Sequence, residues 1–292
     1  MRPLLRRPGL CLAAAVLVAV LAFLAVGYRN ATADPIVRRL TLTVPDYPAG
    51  SAPVRIALFS DIHVHGPDMP PARLERIVAD INALNADVDI GAGDFVGNSA
   101  IGKAYSIDQS VAPLRHLKAR LGVYAVLGNN DVAAGDDAVT AALERSGVRV
   151  LSNEAVRVGP LSLGGLKGRL YSHAKWQQVR LETYEALRRT PGVQVLIAHR
   201  PDEFISAPAP IRLVLAGHTH CGQIVLPLIG PLETGSDFGT EFLCGVVPGR
   251  SKVLVVTAGL GTSHAPIRIG ASPDIWLITI EGPRSPHAAS QR

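Results

Sequence analysis

Five short polar motifs hold the residues of this chain that could do chemistry: Asp61-Ile62-His63, Gly93-Asp94, Gly128-Asn129-Asn130-Asp131, His199, and Gly217-His218-Thr219-His220. Seven of their side chains (Asp61, His63, Asp94, Asn129, His199, His218, His220) are carboxylates, imidazoles or an amide. These groups hold hard or borderline divalent cations. One ion takes three or four protein ligands, so seven, with one carboxylate free to bridge, point to two ions. Paired ions sit roughly 3.5–4 Å apart and promote in-line displacement at phosphorus. Mixed nitrogen and oxygen donors suit Mn²⁺, Fe²⁺ or Zn²⁺ better than Ca²⁺. Gly93-Asp94 alone reads equally well as a turn. The joint order of the five motifs is what carries the argument.

Each motif follows an apolar run of strand length, at 55–60, 88–92, 123–127, 193–198 and 211–216. Leu74, Ile77, Val78, Ile81 and Leu84 fall at helical spacing behind Pro70-Pro71. Further helices are predicted over 107–120, 136–146 and 174–189, and an edge strand over 36–44. The first half therefore alternates strand and helix, with candidate ligands at strand C-termini, where open α/β sheets place their sites. The second half adds short strands near 148–151, 155–158, 161–166, 252–258 and 275–280. This pattern predicts an α/β fold in four layers (α-β-β-α), with two mixed sheets packed face to face and helices outside.

The 292 residues allow a sizeable core, and a mean hydropathy of +0.24 is high for a soluble domain. Arg2, Arg6 and Arg7 precede an uncharged run from Pro8 to Tyr28. That run reads as a signal-anchor leaving its basic end in the cytoplasm. The alternative is a signal peptide cleaved after Ala31-Thr32-Ala33. Both readings put the domain outside the cytoplasm. The expected organisation is an N-terminal segment over 1–33, one catalytic domain over 34–282 and a disordered tail over 283–292. Four of the 29 basic residues precede Asp34, the first of 24 acids, so the remainder carries 25 basic residues against 24 acidic, a net of +1. A nearly neutral domain without a basic run argues against nucleic-acid binding. Cys221 and Cys244 read as two small buried thiols, with a disulfide as the alternative.

These motifs resemble the calcineurin-like metallophosphoesterase superfamily, whose pattern is D-x-H, G-D, G-N-H-[D/E], H and G-H-x-H. The likeness runs from about Ile36 to Gly282. Gly217–Ile224, His199-Arg200-Pro201-Asp202 and Gly259–Ser263 look closest to its small, membrane-anchored or exported bacterial members. That branch includes UDP-2,3-diacylglucosamine pyrophosphatases. Their lipid is made on the cytoplasmic face, so the arginine distribution favours another envelope phosphoester. The resemblance implies that Asp61, His63 and His220 hold one ion and that Asn129, His199 and His218 hold the second. Asp94 and a hydroxide would bridge them, the hydroxide attacking phosphorus. It also implies a small-molecule or lipid phosphoester substrate, a membrane held through the N-terminal helix, and a monomer.

The sequence departs from the pattern at Asn130, where the family has a histidine that contacts the phosphoryl group and helps the leaving group depart. Asn donates a hydrogen bond but delivers no proton near neutral pH. Losing a general acid costs roughly 10²–10⁴-fold, less for a good leaving group. The expected substrate is therefore a phosphoanhydride or activated diester. Asn130 and Asp131 are the remaining candidates for roles beside the ions, Asp131 as support. His65, His173 and His264 are candidate replacements for the missing acid. A metal-binding scaffold with impaired catalysis is the competing reading. Gly97 stands where the family often has an acid.

Overall fold

The computed structural model describes residues 8–97, 101–168 and 173–283; the expected tail lies outside them from residue 284 onward. Helix α1 (Pro8–Ala31) precedes strands β1 (Ile36–Thr43) and β2 (Val54–Phe59). Next come α2 (Pro71–Ala83), β3 (Val88–Gly91), the short α3 (Ile107–Val111), β4 (Val123–Ala125), α4 (Asn129–Arg145) and β5 (Val148–Val150). The second half runs β6 (Glu154–Val158), β7 (Leu161–Leu166), α5 (His173–Arg189), β8 (Val193–Ala198), α6 (Glu203–Ser206) and β9 (Ile211–Ala216). A small hairpin, β10 (Val225–Leu226) and β11 (Gly230–Pro231), leads to β12 (Gly245–Pro248), β13 (Val253–Val256) and β14 (Asp274–Glu281).

Among the described residues, one six-stranded sheet has the order β1-β14-β2-β3-β4-β5 and the other β12-β13-β9-β8-β7-β6. Both are mixed: β14 runs antiparallel to β2, whereas β2, β3, β4 and β5 are mutually parallel. In the second sheet β7, β8, β9 and β13 are parallel, flanked by antiparallel β6 and β12.

Side-chain alternation explains the layers. Ile56 and Leu58 join a core between the two sheets with Val195, Ile197, Leu213 and Leu215. Their neighbours Ala57 and Phe59 face α2 and α4, against Leu74, Ile77, Val139 and Leu143. Leu196, Ala198, Val214 and Ala216 face α5 and α6, against Trp176, Leu187 and Phe204. Strands covered on both faces need apolar residues throughout, which is why 193–198 and 211–216 show almost no polar alternation. Burying each such Val, Leu, Ile or Phe contributes roughly 1.5–3 kcal/mol.

Two helices differ from expectation. The helix predicted over 107–120 is α3 plus a 3₁₀ turn, Ala112–His116. Pro113 has no N–H to continue the α-helical ladder, so the chain tightens and stops. The helix predicted over 136–146 is present, but a further helical stretch from Asn129 precedes it within α4, the two separated by a kink at Gly135, which is non-helical at φ 113°. Asp131 in the first turn accepts the Gly128 N–H at 2.9 Å, which caps that added stretch. Cys221 and Cys244, favoured above as separate thiols, are joined in a disulfide with Cα atoms 4.8 Å apart. Spacing along the chain gave no measure of that separation.

Helix α1 is apolar along Gly9–Ala31, long enough to cross a membrane, and exposed from Gly9 to Val26. Its C-terminal turn docks directly on the domain. The Gly27 carbonyl accepts the Arg268 N–H at 2.9 Å, and Asn30 Nδ2 donates to the Arg268 carbonyl at 3.1 Å. Arg73 Nη2 donates to the Ala33 carbonyl at 2.7 Å.

Candidate metal centre

Because β2, β3 and β4 are parallel neighbours, the segments leaving them emerge at one sheet edge. These segments carry Asp61, His63, Asp94 and Asn129. The segments leaving β8 and β9, also parallel neighbours, carry His199, His218 and His220. Face-to-face packing of the sheets brings the two sets together.

They meet as two groups, Asp61 with His63 and His220, and Asp94 with His199 and His218, the donor atoms of each group lying within 4.8 Å of one another. His63 Nε2 lies 3.1 Å from His220 Nε2, and His199 Nε2 3.1 Å from His218 Nδ1. Asp61 Oδ1 is 3.5 Å from His220 Nε2 and 3.8 Å from His63 Nε2. Asp94 Oδ2 stands between the groups, 3.3 Å from His199 Nε2 and 3.6 Å from His63 Nε2.

The residues fit divalent cations. Asp61 Oδ1 and Asn129 Oδ1 are buried without a hydrogen-bond partner. A dry carboxylate or amide oxygen left that way is costly, and such orphans call for an explanation. A cation beside each group would satisfy both oxygens and the crowded imidazole nitrogens. Burial raises the Asp61 carboxyl, reinforced by Asp94. Burial disfavours protonation of His199, but Asp94 and Asp61 outweigh it and lift the imidazole to about 10. Burial and the neighbouring His199 push His218 down to about 3. His220 is lowered by burial, His63 and Arg268.

Outward-facing atoms of Asp61 and His199 are held by the protein, fixing which face points inward. Asp61 Oδ2 accepts from Ser60 Oγ at 2.7 Å and the His218 N–H at 2.9 Å. His199 Nδ1 bonds the Ala92 carbonyl at 2.7 Å, which leaves Nε2 for the centre. Asp131 is fully buried and its carboxylate accepts four backbone N–H groups, from Asp94, Phe95, Val96 and Gly128. It positions the Asp94 and Asn129 segments against each other. Asp61, His63, Asp94, His218 and His220, five of the seven candidate ligands, have φ between 45° and 70°. Non-glycine residues pay roughly 1–3 kcal/mol each for that region and cluster there at functional sites. Gly128 and Gly217 permit the close approach: a Cβ would sit 2.0 Å from Asp94 Oδ1 at the former, and 2.0 Å from Ser60 Oγ at the latter.

Asn130 lies at the second position of α4 and lines a cavity of about 540 Å³ with His63, Asp94, Asn129, His218 and His220. Its Nδ2 donates to Asp94 Oδ2 at 2.6 Å and its N–H to Asp94 Oδ1 at 2.8 Å. His264 is on the cavity wall, whereas His65 is buried with Nδ1 tied to the Gly66 carbonyl at 2.6 Å. The His173 side chain lies outside the described residues. Sequence reasoning missed Arg268. Fully buried, it donates to the carbonyls of Ala258, Gly259, Gly261 and Ala271, and its Nη2 lies 3.3 Å from His220 Nδ1. Burial lowers its guanidinium to about 10. The one available signal was an arginine between two isoleucines just after Gly259–Ser263.

Comparison with known proteins agrees with this geometry. The calcineurin-like phosphoesterase family model matches residues 54–222. An uncharacterized metallophosphoesterase of Aquifex aeolicus is 31% identical, the match covering 84% of this chain and 92% of that one. The Bacillus subtilis metallophosphoesterase YkuE is 30% identical over 80% of this chain and 81% of its own. A transmembrane protein with metallophosphoesterase domain from Danio rerio is 30% identical over 92% of this chain, which spans 62% of that relative's length. The chain belongs to the calcineurin-like phosphoesterase family.

Proposed function

We propose that the chain is a dinuclear phosphohydrolase held in the bacterial cytoplasmic membrane by α1, cleaving a phosphodiester or phosphoanhydride at the outer face as a monomer. Asp61, His63 and His220 would hold one ion, Asn129, His199 and His218 the other, with Asp94 between. The placement of Asp94 Oδ2, within 3.6 Å of an imidazole nitrogen in each group, carries this reading. When bound, two divalent cations supply an activated water and neutralise charge developing on the phosphoryl oxygens.

The protein's own part is orientation. Asp131 and the helix start at Gly128 hold Asp94 and Asn129 in register. Arg268 backs His220, and Ala92 fixes the His199 tautomer. Asn130 places an amide N–H donor at the cavity, which can bind a phosphoryl oxygen but not protonate an alkoxide. Good leaving groups are therefore favoured. α1 runs unbroken to Ala31, which is buried against the domain, and Arg73 holds the Ala33 carbonyl just beyond it, which supports an anchor over cleavage after Ala33. Arg2, Arg6 and Arg7 ahead of the apolar run support an external domain.

The test is elemental analysis of full-length protein together with hydrolysis of bis-p-nitrophenyl phosphate in Mn²⁺. Two ions per chain and turnover are expected, both lost in Asp94→Asn. A single ion, or two ions without turnover, would overturn the proposal, the second result in favour of a metal-binding scaffold.

A further inference from the structure

The hairpin β10–β11 presents bulky apolar side chains to solvent for no reason internal to the fold. Leu228 is fully exposed, Ile229 is 73% exposed and Leu232 61%. The tip, Leu226-Pro227-Leu228-Ile229, closes with Ile229 N–H donating to the Leu226 carbonyl at 3.3 Å, and Leu228 has φ 68°. With proline at its second position this is a turn whose third position prefers glycine or asparagine. A leucine there incurs backbone strain while its side chain gains nothing from water.

The root of the hairpin shares a support with α1. Val225 N–H donates to the Ile269 carbonyl at 2.8 Å. A Cβ at Gly27 would lie 3.0 Å from Ile267 Cβ and 3.5 Å from Ile269 Cδ1, so the helix rests on these same two isoleucines. Tyr28 and Arg29 follow directly, an aromatic and a cation of the kind found at the edge of the hydrocarbon layer. The segment 267–269 is thus at interface level wherever α1 spans a bilayer. Ile224 and Leu232, flanking the hairpin, also line the metal cavity, beside Ser263, His264 and Ala265.

We infer that Leu228 and Ile229 enter the same leaflet that α1 leaves, seating the cavity mouth on the bilayer so that the substrate is a lipid phosphoester taken from the membrane surface. The substrate half of this inference rests on the phosphohydrolase reading above; the insertion half does not. An apolar tip beside a spanning helix adds a second point of contact, which fixes the tilt that a single helix leaves free.

The experiment uses the full chain in vesicles of phosphatidylethanolamine and phosphatidylglycerol. With Cys11→Ser as background, Leu228→Cys carries an environment-sensitive fluorophore. Blue-shifted emission, quenched by nitroxide lipids and protected from aqueous iodide, is expected; a water-exposed probe overturns insertion. Long-chain and butyryl diacylglycerol pyrophosphates then compete against bis-p-nitrophenyl phosphate. The long-chain form is expected to inhibit at least about tenfold more strongly, and Leu228→Asp with Ile229→Asp to abolish that preference without changing turnover of the soluble ester. Equal inhibition by the two chain lengths, inhibition by neither, or an unchanged preference in the double variant overturns the lipid assignment. Failure of every form to hydrolyse the soluble ester sinks the phosphohydrolase reading instead, while the fluorophore still reports on insertion.

Discussion

Asp131→Asn tests whether this carboxylate is a positioning residue. Its Oδ2 accepts the Asp94 and Gly128 N–H groups at 2.8 and 2.9 Å, and its Oδ1 those of Phe95 and Val96 at 2.8 and 3.1 Å. An amide keeps one oxygen, so whichever way the substituted side chain turned, two buried N–H donors would face an NH₂ group. Each unsatisfied donor costs about 1–3 kcal/mol, giving roughly 2–6 kcal/mol for the pair. For a domain of this size the melting temperature falls by roughly 2–4 °C per kcal/mol, so a drop of roughly 5–20 °C is expected. The measurement belongs at pH 8 on chelated protein. Burial and Asp94 raise the Asp131 carboxyl to about 7, and above that value the carboxylate is the relevant comparison. Metal titration should show weaker binding, because Asp94 and Asn129 lose their common brace. A variant that melts within a degree of the parent and binds two ions, yet turns nothing over, would refute the positioning role and put Asp131 in the chemistry.

Asn130→His restores a proton donor at the cavity. Its rate on alkyl phosphate diesters should rise by roughly 10–10²-fold relative to its rate on p-nitrophenyl esters, and an unchanged ratio would show that leaving-group protonation is not limiting. Gly217→Ala brings a methyl to 2.0 Å from Ser60 Oγ and 2.3 Å from Asp61 Oδ2, so Asp61 must move; elemental analysis should find the Asp61 ion lost, and two retained ions would contradict the packing argument. Asp89 lies in β3, and burial raises its carboxyl to about 7. In the unfolded chain it ionises near 3.9, so between about pH 4 and 7 only the unfolded state releases the proton. The parent therefore loses stability as pH rises through that window, up to roughly 4 kcal/mol. Asp89→Asn should match the parent near pH 4 in urea denaturation and exceed it by pH 8, whereas a pH-independent difference would reject the assignment.

Strands β2, β3, β8 and β9 were legible because they are buried on both faces. A run such as Val193–Ala198 must be apolar at every position, and its length alone separates it from a helix. The candidate ligands stood out because few residue types bind cations and each motif stood behind such a run. Arg268 did not, since nothing local distinguishes an arginine aimed at backbone carbonyls from one in solvent. Nor was the hairpin visible: strands of two residues have no periodicity to read. The contact between Asn30 and Arg268 spans 238 positions and leaves no local trace.

What makes the centre a unit lies in bonds between loops. Asp61 N–H donates to the Gly93 carbonyl at 2.9 Å, and His63 N–H to the Asp94 carbonyl at 3.0 Å. Gly217 N–H donates to the His199 carbonyl at 3.0 Å, and the Gly261 N–H to the Asp61 carbonyl at 2.8 Å. Each ligand segment is thus hydrogen-bonded to another segment of the centre. This over-determination lets five residues remain at positive φ, because relaxing any one breaks a bond in its neighbour. The same network ties α1 to the candidate centre. Arg268 receives α1 through its backbone while its Nη2 lies 3.3 Å from His220 Nδ1, so one buried residue contacts both the helix and the candidate centre.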